Sequence, residues 1–565
     1  MRSFALLVVA VLFISGAIAG IGEEPPTILD LQQFRTTCSI RIQLKGRQGT
    51  ASLVNLNPAI NVWYLLKVSY AGVNSEVAYH LENPKPGTQK LLLEDSNPSG
   101  VVIVAGNNRY ACNLFDTEVL SKGTRAIYEP LCEGRIYLRN SATGHRTSLE
   151  AATEFLRDHV WGGEKIIELG HMLVGETHRE TGKLQGPAHS SSDAQDAKSF
   201  PHSATIDAKF RDRLLTSVNL GIDVGGAEKS GMTPGAWYAA SGNPGVFVSI
   251  LQPNLIDPEI LKSYKSRVNA LDEGEAPALC YLIAFDLQQL DLGYALGTEH
   301  PRVEWSDHML EQMKDPRLPG PDGIGSVRPL TSTGLVSPFA AGKTVATFTG
   351  GFKRAHGAFK YGELALKNHG THYGFVENGV VFSTLQAGLA TLVVINDGSI
   401  RMKTWSDADS RLLPQIKHAR QNGVPLIESN EPGSLVARWG PGNWSGSEDR
   451  KLRTMRSGIG MQGSGDQRFL IYAVFTSATP SAMVRVFQAF HCEYAMLLDM
   501  NALEHTYCAL YRRSGSKVQV DHLIRGMSQV DQSGASGEML PRFLAYPDNR
   551  DFFYVMRRDQ QETKR

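Results

Sequence analysis

The chain has 565 residues, more than one hydrophobic core accommodates, so two or three domains are expected. Hydrophobic residues make up 42% and charged residues 20%, the balance of an ordinary folded protein rather than a disordered one. Lys and Arg together number 57, as do Asp and Glu, and no basic run carries interleaved aromatics, so nothing points to a nucleic-acid partner or an anionic membrane surface.

Residues 1–19 read as a secretory signal peptide. Arg2 precedes an apolar run from Phe4 to Ile14, and Ala17-Ile18-Ala19 offers small residues for cleavage before Gly20. The run falls short of the ~20 residues of a membrane helix, and no later stretch approaches that length. The chain is therefore expected to be secreted or periplasmic, with no stable membrane span after signal cleavage; an uncleaved anchor is the alternative. Export permits disulfides. Cys112 and Cys132 lie in neighbouring strand-like segments, and closing that loop would stabilise by ~3 kcal/mol. Cys492 and Cys508 flank the loop after Leu498 and are either a second bridge or two buried thiols.

Residues 35–140 carry short alternating segments at Ser39 to Leu44, Val62 to Ser69, Lys90 to Leu93, Val101 to Ala105 and Arg135 to Leu138. Turn clusters such as Asn83-Pro84 and Gly106-Asn107-Asn108 separate them, which predicts a small all-β domain. A helical connector is expected over 145–179, with Thr147 and Glu150 at capping-box spacing and Ala152, Phe155, Leu156 and Val160 as its apolar stripe. Residues 180–204 hold few large apolar side chains and several Ser, Pro and Gly, the composition of a flexible linker.

Residues 205–560 form the remaining domain. Hairpin signals stand at Asn378-Gly379 and Asn396-Asp397-Gly398. Phe469 to Phe475 is an apolar run, Thr479-Pro480 is a cap followed by proline at the first helical position, and Met483, Val486, Phe487 and Phe490 repeat at helical spacing. Ala495 to Leu498 is a second apolar strand. A crossover of this kind makes its two strands parallel, and the carboxyl ends of such strands face the crevice where α/β sheets bind ligands. Asp499 is the first residue there.

Three motifs in order, ATFTGGF at Ala346 to Phe352, TMRSGIGM at Thr454 to Met461 and LLDMN at Leu497 to Asn501, give residues 330–525 a resemblance to the phosphodiester glycosidase family. The resemblance implies an α+β fold: a mixed-sheet, phosphodiester-glycosidase-like C-terminal domain preceded by the small all-β domain. It also implies hydrolysis of a sugar-1-phosphodiester or related glycosidic bond in a glycan; the sequence itself carries no cofactor signature, so none is expected. Asp499 then contacts the sugar or activates the nucleophile, Glu504 is the second carboxylate, and Arg456 offers a planar guanidinium to the phosphate. Thr349, Gly350, Gly351, His372, Tyr373 and Asn501 are the candidate substrate-binding residues, with Arg456 and Asp499 converging on one crevice. The chain departs from the family pattern at Thr349, where the family has Asn, and at Met500 to Leu503, where it has three glycines and a serine. A non-catalytic glycan- or envelope-binding protein on the same fold is the alternative that these departures raise.

Other signals are weaker. His369-Gly370-Thr371-His372 lacks an acidic third ligand, so no metal site is expected. Lys353, Arg354 and His356 read as solvated surface charge. GMQGSG at Gly460 to Gly465 lacks the spacing of a nucleophile elbow, and Asn443-Trp444-Ser445 is a glycosylation sequon.

Overall fold

A computed structural model describes residues 34–559 apart from 45, 73–75, 116–117, 148–149, 152–178, 188–199, 226–230, 302–310, 315–330, 354–372, 439–451, 465–466 and 516. Strand makes up 45% of the structure and helix 12%, in several antiparallel sheets, so the fold is largely β with short helical elements.

The first unit is all β. One sheet runs in the order Thr36–Leu44, Arg47–Asn55, Trp63–Tyr70, Val77–Glu82, Ile136–Arg139, Tyr128–Leu131, and a second contains Gln89–Leu92, Gly100–Ala105 and Asn108–Asn113. A Cys112–Cys132 disulfide, with its Cα atoms 5.6 Å apart, ties the sheets together. Side chains alternate along a strand. In Trp63–Tyr70 that alternation feeds two cores: Tyr64, Leu66 and Val68 pack inside the unit, whereas Trp63 and Leu65 join the large core of the following region. The junction is sealed by Arg139, which stacks over Trp63 at 4.1 Å, pairs with Glu82 at 3.5 Å and donates to the Thr331 carbonyl at 3.2 Å. The two regions thus share buried surface.

Segment 180–204 is built into this larger body at both of its described ends. Lys183–Pro187 pairs antiparallel with Arg213–Thr216, and Phe200 packs on Phe247 at 4.8 Å. The His202 carbonyl accepts from Trp237 Nε1 at 2.9 Å and Gln462 Nε2 at 3.0 Å. A linker composition here hides two anchors, Leu184 and Phe200, each packed against the core. Residues 188–199 lie outside the described residues. So do Ala152, Phe155, Leu156 and Val160 of the expected connector, although its start is present, with Glu150 N donating to Thr147 Oγ1 at 3.1 Å.

Two sheets carry the main body, with strands numbered in chain order: β1 (Val246–Leu251), β2 (Cys280–Asp286), β3 (Leu290–Ala295), β4 (Thr344–Thr349), β5 (Pro425–Glu428), β6 (Thr454–Ser464), β7 (Gln467–Ala478), β8 (Tyr494–Met500), β9 (Cys508–Ser514), β10 (Lys517–His522) and β11 (Phe552–Arg557). The first sheet is ordered β1-β2-β7-β6-β8-β5, with Tyr238–Ala239 and Glu431–Pro432 at its edges, and the second is β3-β11-β4-β9-β10. Phe348 of β4 stacks between them on Tyr472 of β7, 4.7 Å between ring centres. Phe375–Glu377, Val380–Ser383, Ala390–Ile395, Ile400–Thr404 and Ile416–Gln421 make a third sheet.

The expected crossover is present. Thr479 accepts from Ala482 N at 3.3 Å, Pro480 opens the helix Pro480–Ala489, and β7 and β8 run parallel. They are not neighbours, because β6 lies between them, antiparallel to both. The RSGIG motif is part of β6, and its glycines let the helix lie on the sheet. A Cβ on Gly458 would stand 2.8 Å from Met483 Cε, and one on Gly460 2.9 Å from Cys492 Sγ and 3.0 Å from the Phe487 ring. That position keeps Cys492 on the helix side of the first sheet, whereas Cys508 opens β9 of the second. Both are buried free thiols, so the second disulfide is not formed.

Candidate functional site

The three sequence motifs meet at the carboxyl end of β8. Gly351 turns at φ +130°, a conformation that glycine adopts without strain, and a Cβ there would sit 2.8 Å from Asn422 Oδ1. The same Asn422 Oδ1 accepts from Phe352 N at 3.2 Å, and its Nδ2 donates to the Leu497 and Leu498 carbonyls at 2.8 and 2.6 Å. Asn422 therefore clamps the GGF turn to the strand that ends in Asp499. From the other side Ser457 of the RSGIG segment accepts from Asp499 N at 3.1 Å and donates to Asp499 O at 3.2 Å.

The Asp499 side chain is buried. Its Oδ1 accepts from Met500 N at 2.8 Å and its Oδ2 from Arg550 Nη1 at 2.5 Å. Arg550 Nη2 reaches on to Glu150 Oε1 at 3.1 Å, and Lys353 Nζ pairs with that same Glu150 oxygen. Lys353 also stands 3.7 Å from Glu299 Oε1, which pairs with Arg146 and accepts from Asn549 Nδ2 at 3.3 Å. Glu504 completes the group, with Oε2 accepting from Thr147 Oγ1 at 2.6 Å and Oε1 lying 3.4 Å from His505 Nε2. Lys353, expected as solvated charge, is only 2% exposed in its side chain because Glu150 and Glu299 hold it in the interior.

Burial and neighbouring charge divide these acids. Burial pushes the Asp499 carboxyl up, against the pull of Arg550, His505 and Lys353. Burial acts on Glu150 in the same sense, but Arg550, Lys353 and His505 outweigh it and hold Glu150 well below the usual carboxylate range. Glu504 is likewise brought down to about 2, where the His505 hydrogen bond and charge overcome burial. Arg550 keeps one buried donor, Nε, that makes no hydrogen bond among the described residues. A buried N–H left this way costs ~1–3 kcal/mol.

Arg456 is placed elsewhere. Adjacent residues of a strand point to opposite faces, and Arg456 serves the Met500 side: Nη1 contacts Met500 Sδ at 3.0 Å, Nε donates to Ala478 O at 2.8 Å and Nη2 to Leu452 O at 3.2 Å. Burial lowers its pKa to about 9, against the pull of Glu275. The shared Arg456–Asp499 crevice is therefore not formed, and Arg550 occupies the place expected of Arg456.

The remaining predicted residues divide between turn-building and packing. Thr349 Oγ1 donates to His505 O at 2.7 Å, and Gly350 N to Asp551 O at 2.7 Å. Asn501 takes φ 86° where the family pattern has glycine, a region that Asn enters more readily than most residues; its Oδ1 accepts from Thr454 Oγ1 at 3.0 Å. Tyr373 is buried against Phe352. His372 lies outside the described residues. Glu150, Glu299 and Arg550 were not predicted. Thr147-x-x-Glu150 showed only a helix start, and no local pattern marks Arg550.

Among the described residues no group of three His, Cys, Asp or Glu side chains could hold a metal ion, and no helix is long and apolar enough to cross a membrane. No family model and no curated protein matches the chain. Similar solved structures include a hypothetical protein from Synechocystis, 9% identical, with 92% of this chain and 98% of that one covered at a TM-score of 0.26. Another comes from Burkholderia pseudomallei K96243 and is exported by name only; it is 10% identical, with 52% of this chain and 76% of that one covered at a TM-score of 0.23. At these scores neither likeness bears on fold or function.

Proposed function

We propose that the chain is an exported hydrolase of the phosphodiester glycosidase type, acting on a sugar-1-phosphodiester in a glycan. The observation that carries this reading is the Asp499–Arg550–Glu150 arrangement at a strand end, where three motifs resembling that family converge. In the reaction the bond between the anomeric carbon and the phosphate oxygen breaks while water adds its hydroxyl to that carbon. Asp499, whose carboxyl burial makes the more basic, takes the proton from water. Glu150 stays ionised and holds Arg550 and Lys353 in place, and these two cations supply the positive charge that offsets the departing phosphate. A phosphate monoester leaves as a weak base, so no strong acid is required on its side. The predicted signal peptide and the Cys112–Cys132 bridge fit an oxidising compartment outside the cytoplasm.

A second reading keeps the fold and removes the chemistry. Asp499, Glu150 and Glu299 are already paired with Arg550, Lys353 and Arg146, an arrangement that suits a glycan- or envelope-binding protein. Incubation of the mature protein with alpha-GlcNAc-1-phosphodiester and other glycosyl phosphodiesters separates the two. Release of free sugar that disappears in Asp499→Asn supports the hydrolase. Saturable glycan binding without release from any of these substrates overturns it in favour of the binder.

A further inference from the structure

The second sheet carries a cavity at the end opposite the Asp499 cluster. β4 begins at this cavity with Thr344 and ends at Thr349 beside the cluster, a strand length of about 17 Å. The cavity measures about 700 Å³ and is lined by Lys343, Arg512, Arg513, Lys517 and Arg557, with no acidic side chain in its wall. Strand ends bring them together: Lys343 precedes β4, Arg512 and Arg513 lie near the end of β9, Lys517 starts β10 and Arg557 ends β11.

Two of the five charges are answered by acids outside the wall. Lys343 pairs with Asp559 at 2.5 Å and Arg512 with Asp521 at 2.7 Å. Among the described residues Arg513 meets only a carbonyl, that of Ala341. Lys517 and Arg557 have no side-chain partner among the described residues. Three uncompensated positive charges thus converge on one concavity of a chain whose formal net charge is zero. Gathering like charges is unfavourable unless an anion shares the space. Guanidinium groups match the planar oxygen pairs of phosphate and sulfate, and an ammonium adds a point charge that tolerates either.

We propose that this cavity binds a phosphate or sulfate ester carried on a small polar ligand. Its volume is that of a small-molecule site, for which ~300–1,000 Å³ is usual. A membrane surface or a nucleic acid would call for a basic chain, whereas this one has a formal net charge of zero. This site is independent of the Asp499 cluster, so it stands or falls apart from the proposed hydrolase activity.

The test is titration calorimetry on the mature protein with inorganic pyrophosphate and, separately, a sulfated disaccharide, at low and high salt. Saturable one-site binding is expected, weakened by salt, as exposed charges require. It should weaken about tenfold or more in Lys517→Ala/Arg557→Ala, because two of the charges that would face the ester are lost, and it should persist in Lys517→Arg and Asp499→Asn. Both truncated side chains are exposed and unpartnered, and thermal melting checks that the variant folds; the single variants replace the double one if it melts early. Absence of binding to either probe, equal binding by the double variant, or binding only to anionic vesicles or to DNA overturns the proposal.

Discussion

Arg550 donates from Nη1 to Asp499 Oδ2 at 2.5 Å and from Nη2 to Glu150 Oε1 at 3.1 Å, so one buried guanidinium holds two carboxylates, one of them 400 positions away in sequence. Removing it strands Asp499 in the interior and leaves Glu150 with Lys353 alone. Arg550→Met is expected to lower stability by ~3–5 kcal/mol, the usual cost of breaking a buried ion pair from one side. Urea unfolding measures this; a loss under ~1 kcal/mol would mean that the acids are solvated in solution.

Arg456→Met should behave differently. Its guanidinium serves the carbonyls of Ala478, at the end of β7, and Leu452, just ahead of β6. The substitution is expected to cost ~1–3 kcal/mol of stability through unpaired acceptors while leaving sugar release per folded molecule unchanged. A large fall in turnover with stability intact would restore Arg456 to the substrate site.

Glu377 gives the fold a pH dependence near neutrality. Burial pushes its carboxyl up from 4.5 to about 8, with Glu82 and Asp551 adding to the shift and Arg139 opposing it. The folded state therefore holds a proton that the unfolded chain releases. This contribution is fully present below about 4.5 and is lost as pH rises through about 8. Stability in that window should fall by up to ~1.4 kcal/mol per pH unit from this residue, and Glu377→Gln should remove the slope. Urea midpoints of the two proteins across the window decide it; parallel curves would rule out the buried proton.

The Cys112–Cys132 bridge spans a sequence separation of 20, for which loop-closure entropy predicts ~3 kcal/mol. Cys112→Ala/Cys132→Ala should lose that amount, and wild type under reductant should lose as much. Trp63 lies at the junction with the main core, so its fluorescence is expected to report the change.

Legibility followed distance along the chain. Thr479, Pro480 and the Met483 to Phe490 stripe sit within one helix, so capping and periodicity revealed the element before its packing was known. Asp499 was visible as the polar residue that ends an apolar run. The glycines of RSGIG could be seen as a motif, but their reason, contact with Phe487 and Cys492, is tertiary. Arg550, Glu150 and Lys353 form one cluster from three distant segments, and nothing in the neighbourhood of any of them marks the others. Arg456 misled for the same reason: a motif fixes position along a strand, while the side chain's face depends on the register of β6 against β8.

The position of β11 sets an order of assembly. It is the last strand of the described chain, yet it is inserted between β3 and β4, pairing with both. Until it is synthesised, two long edges lie open, a hazard for aberrant pairing with other chains. Arg550 arrives just ahead of it, so Asp499 and Glu150 lack their shared counter-charge until that point in synthesis. A chain that stops short of Arg550 would therefore lack both the counter-charge of its buried acids and the strand that closes the second sheet, and would present open edges to other chains.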